Sequence, residues 1–269
     1  MKKGIVPFLL ILLFSFILFM CDKIDCPPIT SAKLDSIIVK KVVDTIRTLK
    51  DTTVTLTLQP NSAAGKDATI WYIDDQTTSK GPTNTSNYGS DPELPGMEWT
   101  FGIPKDDTTT LAIGSKRGLI EFDLSSIPSN SSVSSAYLSL YGCPTCSDPG
   151  HAVNDGYYPG TNQGLVQRIT TPWTENTVTW NTSPSITTQN QDTLPPSTST
   201  GENYTNINVT ALVQDMINNP SSSYGFMISM QETLIYRRLI FASSDNTDST
   251  KHPKIVVTYK YQYTTITIK

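Results

Sequence analysis

Short alternating runs, set apart by clusters of turn residues, are the main folding information in this chain. Val54-Thr55-Leu56-Thr57-Leu58 puts Val and Leu on one side of an extended backbone and Thr on the other. That is the period-2 pattern of a half-buried strand. Residues 68–73 read the same way, and in 134–141 Ala136, Leu138 and Leu140 alternate with Tyr137, Ser139 and Tyr141. Further strands are expected at 109–113, 118–124, 165–169, 177–180, 226–230, 238–242 and 255–259. Ser and Thr form about a quarter of the 269 residues, while charged residues are only 16%. Threonine suits strands and serine suits turns, and both are poor in helix interiors. One segment departs from the rhythm. Val209, Leu212, Val213, Met216 and Ile217 have helical spacing, with Asn208 or Thr210 as N-cap and Asn218-Asn219-Pro220 as a stop. Eight to eleven short strands and one short helix predict an all-β fold, an antiparallel β-sandwich of the jelly-roll type. Residues 76–98, 142–164 and 187–202 are expected as long loops.

Upstream of the sandwich the chain has a different character. Lys2 and Lys3 precede an almost wholly apolar run from Ile5 to Met20, short for a spanning helix and suited to a signal-peptide core. Leu18-Phe19-Met20-Cys21 resembles a bacterial lipobox, which implies cleavage before Cys21 and a lipid on its sulfur. Residues 1–20 are therefore expected to be a lipoprotein signal peptide and 21–53 a stem, followed by the sandwich domain at 54–260 and a C-terminal tail at 261–269. The expected location is the cell envelope, on the outer membrane or cell surface, held to the membrane by the N-terminal lipid. Loss of Lys2 and Lys3 lowers the 20 Lys+Arg to 18 against 24 Asp+Glu, a net charge of -6. That balance, with no basic cluster, argues against a nucleic-acid partner.

Cys143-Pro144-Thr145-Cys146 is a C-x-x-C without a surrounding βαβ pattern. In an exported chain it reads as a small structural disulfide. A zinc site would need more ligands than these two thiols and His151 supply. Cys26 has no assigned role.

Several blocks occur in a recognisable order. Gln59-Pro60 and Gly65-Lys66-Asp67-Ala68 come first, then Asn87-Tyr88-Gly89, Leu111-Ala112-Ile113-Gly114 and Arg117. Glu121-Phe122-Asp123-Leu124-Ser125-Ser126-Ile127-Pro128 follows, then Trp173-Thr174-Glu175-Asn176-Thr177-Val178-Thr179-Trp180-Asn181. Val209-Thr210-Ala211-Leu212-Val213-Gln214, Phe241-Ala242-Ser243-Ser244 and residues 253–259 close the series. Together they resemble DNRLRE-domain proteins, a group related to jelly-roll carbohydrate-binding modules, over residues 58–259. The resemblance implies an exported bacterial β-jelly roll of the sort appended to polysaccharide-active enzymes. His252 stands where that group usually has Arg, and the stretch 92–107 and the C-x-x-C loop look particular to this chain.

The candidate ligand-binding residues are Trp99, Phe101, Tyr157 and Tyr158, aromatics in Gly/Pro/Asn-rich segments, together with Tyr236, Arg237 and Arg238. Neighbours on a strand face opposite ways, so only one of the two arginines can join a binding face, where it could grip a uronic-acid carboxylate. Trp173 and Trp180 are expected to pack as an aromatic corner, with Glu175 satisfying backbone or hydroxyl groups there. Asp123 is expected to anchor its turn. Asp67, Asp74 and Asp75, with Asp245 and Asp248 in a late loop, are oxygen ligands of the type that holds a structural calcium. Glu121 and Asp123 superficially suit paired carboxylates, but no nucleophile, zinc-protease, P-loop or dinucleotide motif is present. The sequence thus reads as a polysaccharide-binding surface protein without chemistry of its own. A structural or adhesive protein with envelope-protein partners is the alternative, and a cryptic polysaccharide lyase or hydrolase the third reading.

Overall fold

The structure, a computed structural model of the chain, describes residues 45–60, 65–74, 83–104, 111–152 and 160–268. Cys21, Cys26, Asp75, Tyr157 and Tyr158 lie outside the described residues, as does the expected signal segment. The chain divides into a main body, Asp51–Gln262, and a smaller unit whose described residues are 45–50 and 263–268.

Among the described residues, eleven strands form two antiparallel sheets. The first has the order β1 (Thr45–Leu58), β11 (Lys254–Ile268), β5 (Ser132–Leu140), β8 (Tyr204–Asn208). The second runs β10 (Arg237–Ala242), β3 (Glu93–Pro104), β4 (Leu111–Phe122), β9 (Phe226–Met230), β6 (Gly164–Ile169), β7 (Ile186–Leu194), with β2 (Gly65–Ile73) also paired to β4. The fold is therefore a β-sandwich, with one helix among the described residues, α1 (Thr210–Asn218). Its buried residues are Leu212, Val213, Met216 and Ile217, the positions picked out by the 3.6 spacing.

The core follows from alternation. Ala136, Leu138 and Leu140 of β5 are fully buried, as are Ile255 and Val257 of β11 opposite them. They meet Ile120, Val166, Phe226, Ile228, Leu239 and Phe241 from the other sheet and the apolar stripe of α1.

Several expectations needed correction. Residues 93–98 were expected in a loop and 187–194 likewise, yet β3 and β7 occupy them. Pro95 is tolerated in β3 because the β3–β4 ladder begins only at Gly96. The strand β7 was hidden because most of its side chains are exposed and show no apolar alternation. Residues 177–180 do not form a strand. They lead into a 3-10 turn, Trp180–Thr182, held by a reciprocal capping box between Thr179 and Thr182. The strands β1 and β11 also run past the boundaries expected at 53 and 261, since residues 261–268 keep a Tyr/Thr/Ile composition that favours extended chain.

On β5, Leu138 is fully buried while its neighbour Tyr137 is 41% exposed. Leu138→Ala should cost about 2–5 kcal/mol in denaturant unfolding, and Tyr137→Ser about 1 kcal/mol or less. Equal costs would contradict this assignment of faces.

Candidate functional site

Directly opposed residues in an antiparallel pair lie on one face. Register therefore builds a row across four strands. Trp71 of β2 faces Lys116 of β4, Lys116 faces Met97 of β3, and Met97 faces Arg238 of β10. One step along, Ile73 faces Gly114, and Gly114 faces Trp99.

Aromatic rings cluster on this row. Trp71 lies 5.5 Å from Tyr88 and 5.1 Å from Phe101, centroid to centroid. Trp99 meets Tyr236 edge-on at 5.2 Å. A methyl group on Gly114 would collide with the Tyr72 carbonyl oxygen and come within 2.7 Å of the Phe101 ring, so glycine is what lets both β2 and that ring approach β4 here. Two cations cap the aromatic faces: the Lys116 ammonium sits 4.6 Å from the Trp71 ring centre, and the Arg238 guanidinium 4.4 Å from that of Trp99. Trp71, Tyr88, Trp99, Phe101, Tyr236 and Arg238 are all half-buried, so the patch keeps a surface toward solvent.

A loop frames one side. Cys143 and Cys146 are joined by a disulfide, and both pack with Met97, Ile240, Trp99 and Phe101. Beyond the disulfide, Asp148 receives a hydrogen bond from Lys116 Nζ at 2.6 Å, and Gly150 O accepts from Arg238 Nε at 2.9 Å. On the opposite side Lys116 Nζ also donates to Glu93 Oε1 at 3.0 Å. Burial pushes the Glu93 carboxyl up to about 7, against the pull of Lys116. Burial would also raise Asp148, but the Lys116 ammonium, hydrogen bonds and the Arg238 charge outweigh it and hold that carboxyl below the usual range.

The sequence-derived candidates separate clearly here. Trp99, Phe101, Tyr236 and Arg238 come together. Arg237 does not join them: it is 5% exposed, and its guanidinium donates to Thr161 O and Ile235 O. Strand alternation sends it to the other side, where it holds loop carbonyls. Trp99 and Phe101 belong to a strand and not to a loop. Trp71, Tyr88, Lys116, Glu93 and Asp148 were missed. The available signal was Lys116-Arg117, two adjacent cations in the middle of a strand whose ends are mostly apolar.

The signature block is structural. Trp173 is 7% exposed, packs with Ala68, Ile70 and Leu119, and donates its indole N–H to Tyr224 O at 2.8 Å. Trp180 stacks on Tyr72 at 5.4 Å, with Arg117 on its ring. Glu175 Oε1 accepts from the Asp67 amide at 3.1 Å. Asp123 is exposed and accepts from the Ser125 amide at 2.8 Å, which fixes the turn. The expected calcium set also splits. Asp74 is exposed at the far end of β2 from Asp67, roughly 23 Å along an extended strand. A cavity of about 430 Å³ lies between the Glu121–Ser129 segment and α1, but its lining carries no cation and its one aromatic, Phe122, is buried.

A two-sheet β-sandwich with aromatic and cationic side chains gathered on one patch is the build of a carbohydrate-binding module. The model of carbohydrate-binding module family 96 matches residues 66–259, and the chain belongs to that family. No curated protein matches it.

The raised Glu93 carboxyl has a consequence for stability. The folded chain keeps that proton from its ordinary 4.5 up to about 7, whereas the unfolded chain loses it near 4.5. Its contribution is therefore complete below about 4.5 and is lost as pH rises through 7. Urea midpoints should fall between pH 5 and 7 in the native chain and fall less steeply in Glu93→Gln. Identical slopes would remove Glu93 as the cause.

Proposed function

We propose that the protein binds polysaccharide without transforming it, through the patch formed by Trp71, Trp99, Phe101, Tyr236 and Arg238. The observation carrying this reading is the four-strand row, which presents aromatic faces beside a guanidinium on a rigid sheet. Aromatic rings stack on the apolar faces of sugars and large rings contribute much contact area at low entropic cost. Arg238 uses Nε on Gly150 O, and its terminal NH2 groups bond to no described residue. They form a fork for a carboxylate or for neighbouring hydroxyls. Family membership supports a sugar partner.

Above about pH 7, where Glu93 is ionised, the charges on this face balance, with Lys116 and Arg238 set against Glu93 and Asp148. Net attraction for strongly acidic chains is thus not built in, and neutral or sparsely charged glycans fit as well. The finer identity proposed is a DNRLRE-type bacterial lipoprotein, exported and anchored through Cys21 at the cell surface. The apolar run before Cys21 supports it. A protein-contact role is a second reading, favoured by Leu49, Tyr263 and Ile266 of the smaller unit, which are 67%, 42% and 59% exposed.

On a glycan array the chain should give discrete polysaccharide signals that drop at least tenfold in Trp99→Ala and in Arg238→Ala, with circular dichroism unchanged. A blank array, or signals indifferent to both changes, would favour the protein-contact reading. A palmitate analogue fed to expressing cells should label the native chain and not Cys21→Ala; absence of label removes the anchor.

A further inference from the structure

Three carboxylates from distant parts of the sequence converge near the start of β2. Asp67 opens that strand, Glu175 comes from the signature turn and Asp245 from the loop after β10. One oxygen atom from each lies within 4.8 Å of the others. Among the described residues none of the three has an ion-pair partner. The basic side chain that bears on Asp245 is His252, whose Nε2 is hydrogen-bonded to Asn246 O at 2.8 Å, while Lys66 pairs with Glu121.

The decisive group is Asp67. Its side chain is 0% exposed. Oδ2 accepts from the Ser244 amide at 2.8 Å, while Oδ1, buried in the same cluster, has no hydrogen-bond partner. A buried carboxylate oxygen without a partner is costly, and buried charges are ordinarily paired or bound to metal. Burial pushes this carboxyl up to about 7, and repulsion from Asp245 and Glu175 adds to the rise. These are the conditions a divalent cation relieves.

We propose that Asp67, Glu175 and Asp245 form a calcium site that ties the start of β2 to the signature turn and the loop after β10. The donor set is all oxygen, which suits a hard cation and not zinc. Calcium accepts irregular shells of about six to eight oxygens, whereas magnesium demands a near-ideal octahedron. Asp245 is exposed, so solvent can complete the shell of roughly six to eight oxygens. Backbone geometry already holds the ligands in place. The Asp67 amide donates to Glu175 Oε1, and Asn87 Nδ2 donates to Glu175 O at 2.7 Å. On the third segment, Ser243 Oγ donates to Asp91 O at 2.7 Å and accepts from the Asp245 amide at 3.1 Å.

The test is calcium titration of the chelator-treated full chain, followed by calorimetry and by thermal unfolding. One calcium should bind saturably. At about a hundredfold excess over Kd, the unfolding midpoint should rise by roughly 5–10 °C, and magnesium should do markedly less. Asp245→Asn, at an exposed position, should fold as before and lose at least tenfold in calcium affinity. Glu175→Gln, which retains an acceptor for the Asp67 amide, should do the same. Asp248→Asn, in the same loop but outside the cluster, should bind as the native chain does. No calcium binding by the native chain, or binding unaffected by Asp245→Asn and Glu175→Gln, would overturn the proposal. Glycan binding is measured separately, so failure here leaves the aromatic patch untouched.

Discussion

The Lys116 ammonium, held between Glu93 and Asp148 under the face of Trp71, fixes the geometry on which the functional surface depends. A lysine this deeply buried is stable only with partners, and removing one partner of such a group typically costs about 3–5 kcal/mol. The two carboxyl groups come from β3 and from the disulfide loop, so their hydrogen bonds with Lys116 lock those segments to β4. The rings of Trp71, Trp99 and Phe101 rest on the surface so defined. The disulfide serves the same end, because it packs against Met97 and Ile240 and starts the loop that delivers Asp148 and the Gly150 carbonyl.

Much of this was legible from residue pattern. The helix α1 was readable because Val209, Leu212, Val213, Met216 and Ile217 repeat at helical spacing and no competing alternation overlaps them. The strands β5 and β11 were readable because one face of each is buried and the other is wet. The strand β3 was not, because Pro92, Pro95 and Gly96 carry the local signals of a turn. Only the tertiary pairing, with β10 on one side and β4 starting at Gly96 on the other, makes an extended chain there favourable.

The site was half legible for a related reason. The alternation rule separated Arg237 from Arg238 without saying which faced outward. Trp99 and Phe101 stood out as aromatics, but Trp71 looked like ordinary strand core. Its partnership with Lys116 and Phe101 arises from register between strands more than 20 residues apart, which no local pattern contains. The acidic cluster shows the same limit: Asp67 was visible as an oxygen donor, yet Asp74 and Asp75, its neighbours in sequence, were grouped with it in place of Glu175 and Asp245, its neighbours in space.

The four tryptophans divide evenly between the two roles, Trp71 and Trp99 on the binding patch, Trp173 and Trp180 on the signature corner. Titration of a bound oligosaccharide into isotope-labelled protein, observed at the four indole N–H resonances, therefore tests the central claim directly. The account predicts that Trp71 and Trp99 move with the binding isotherm while Trp173 and Trp180 stay in place. Movement of Trp173 and Trp180, with Trp71 and Trp99 unchanged, would contradict it.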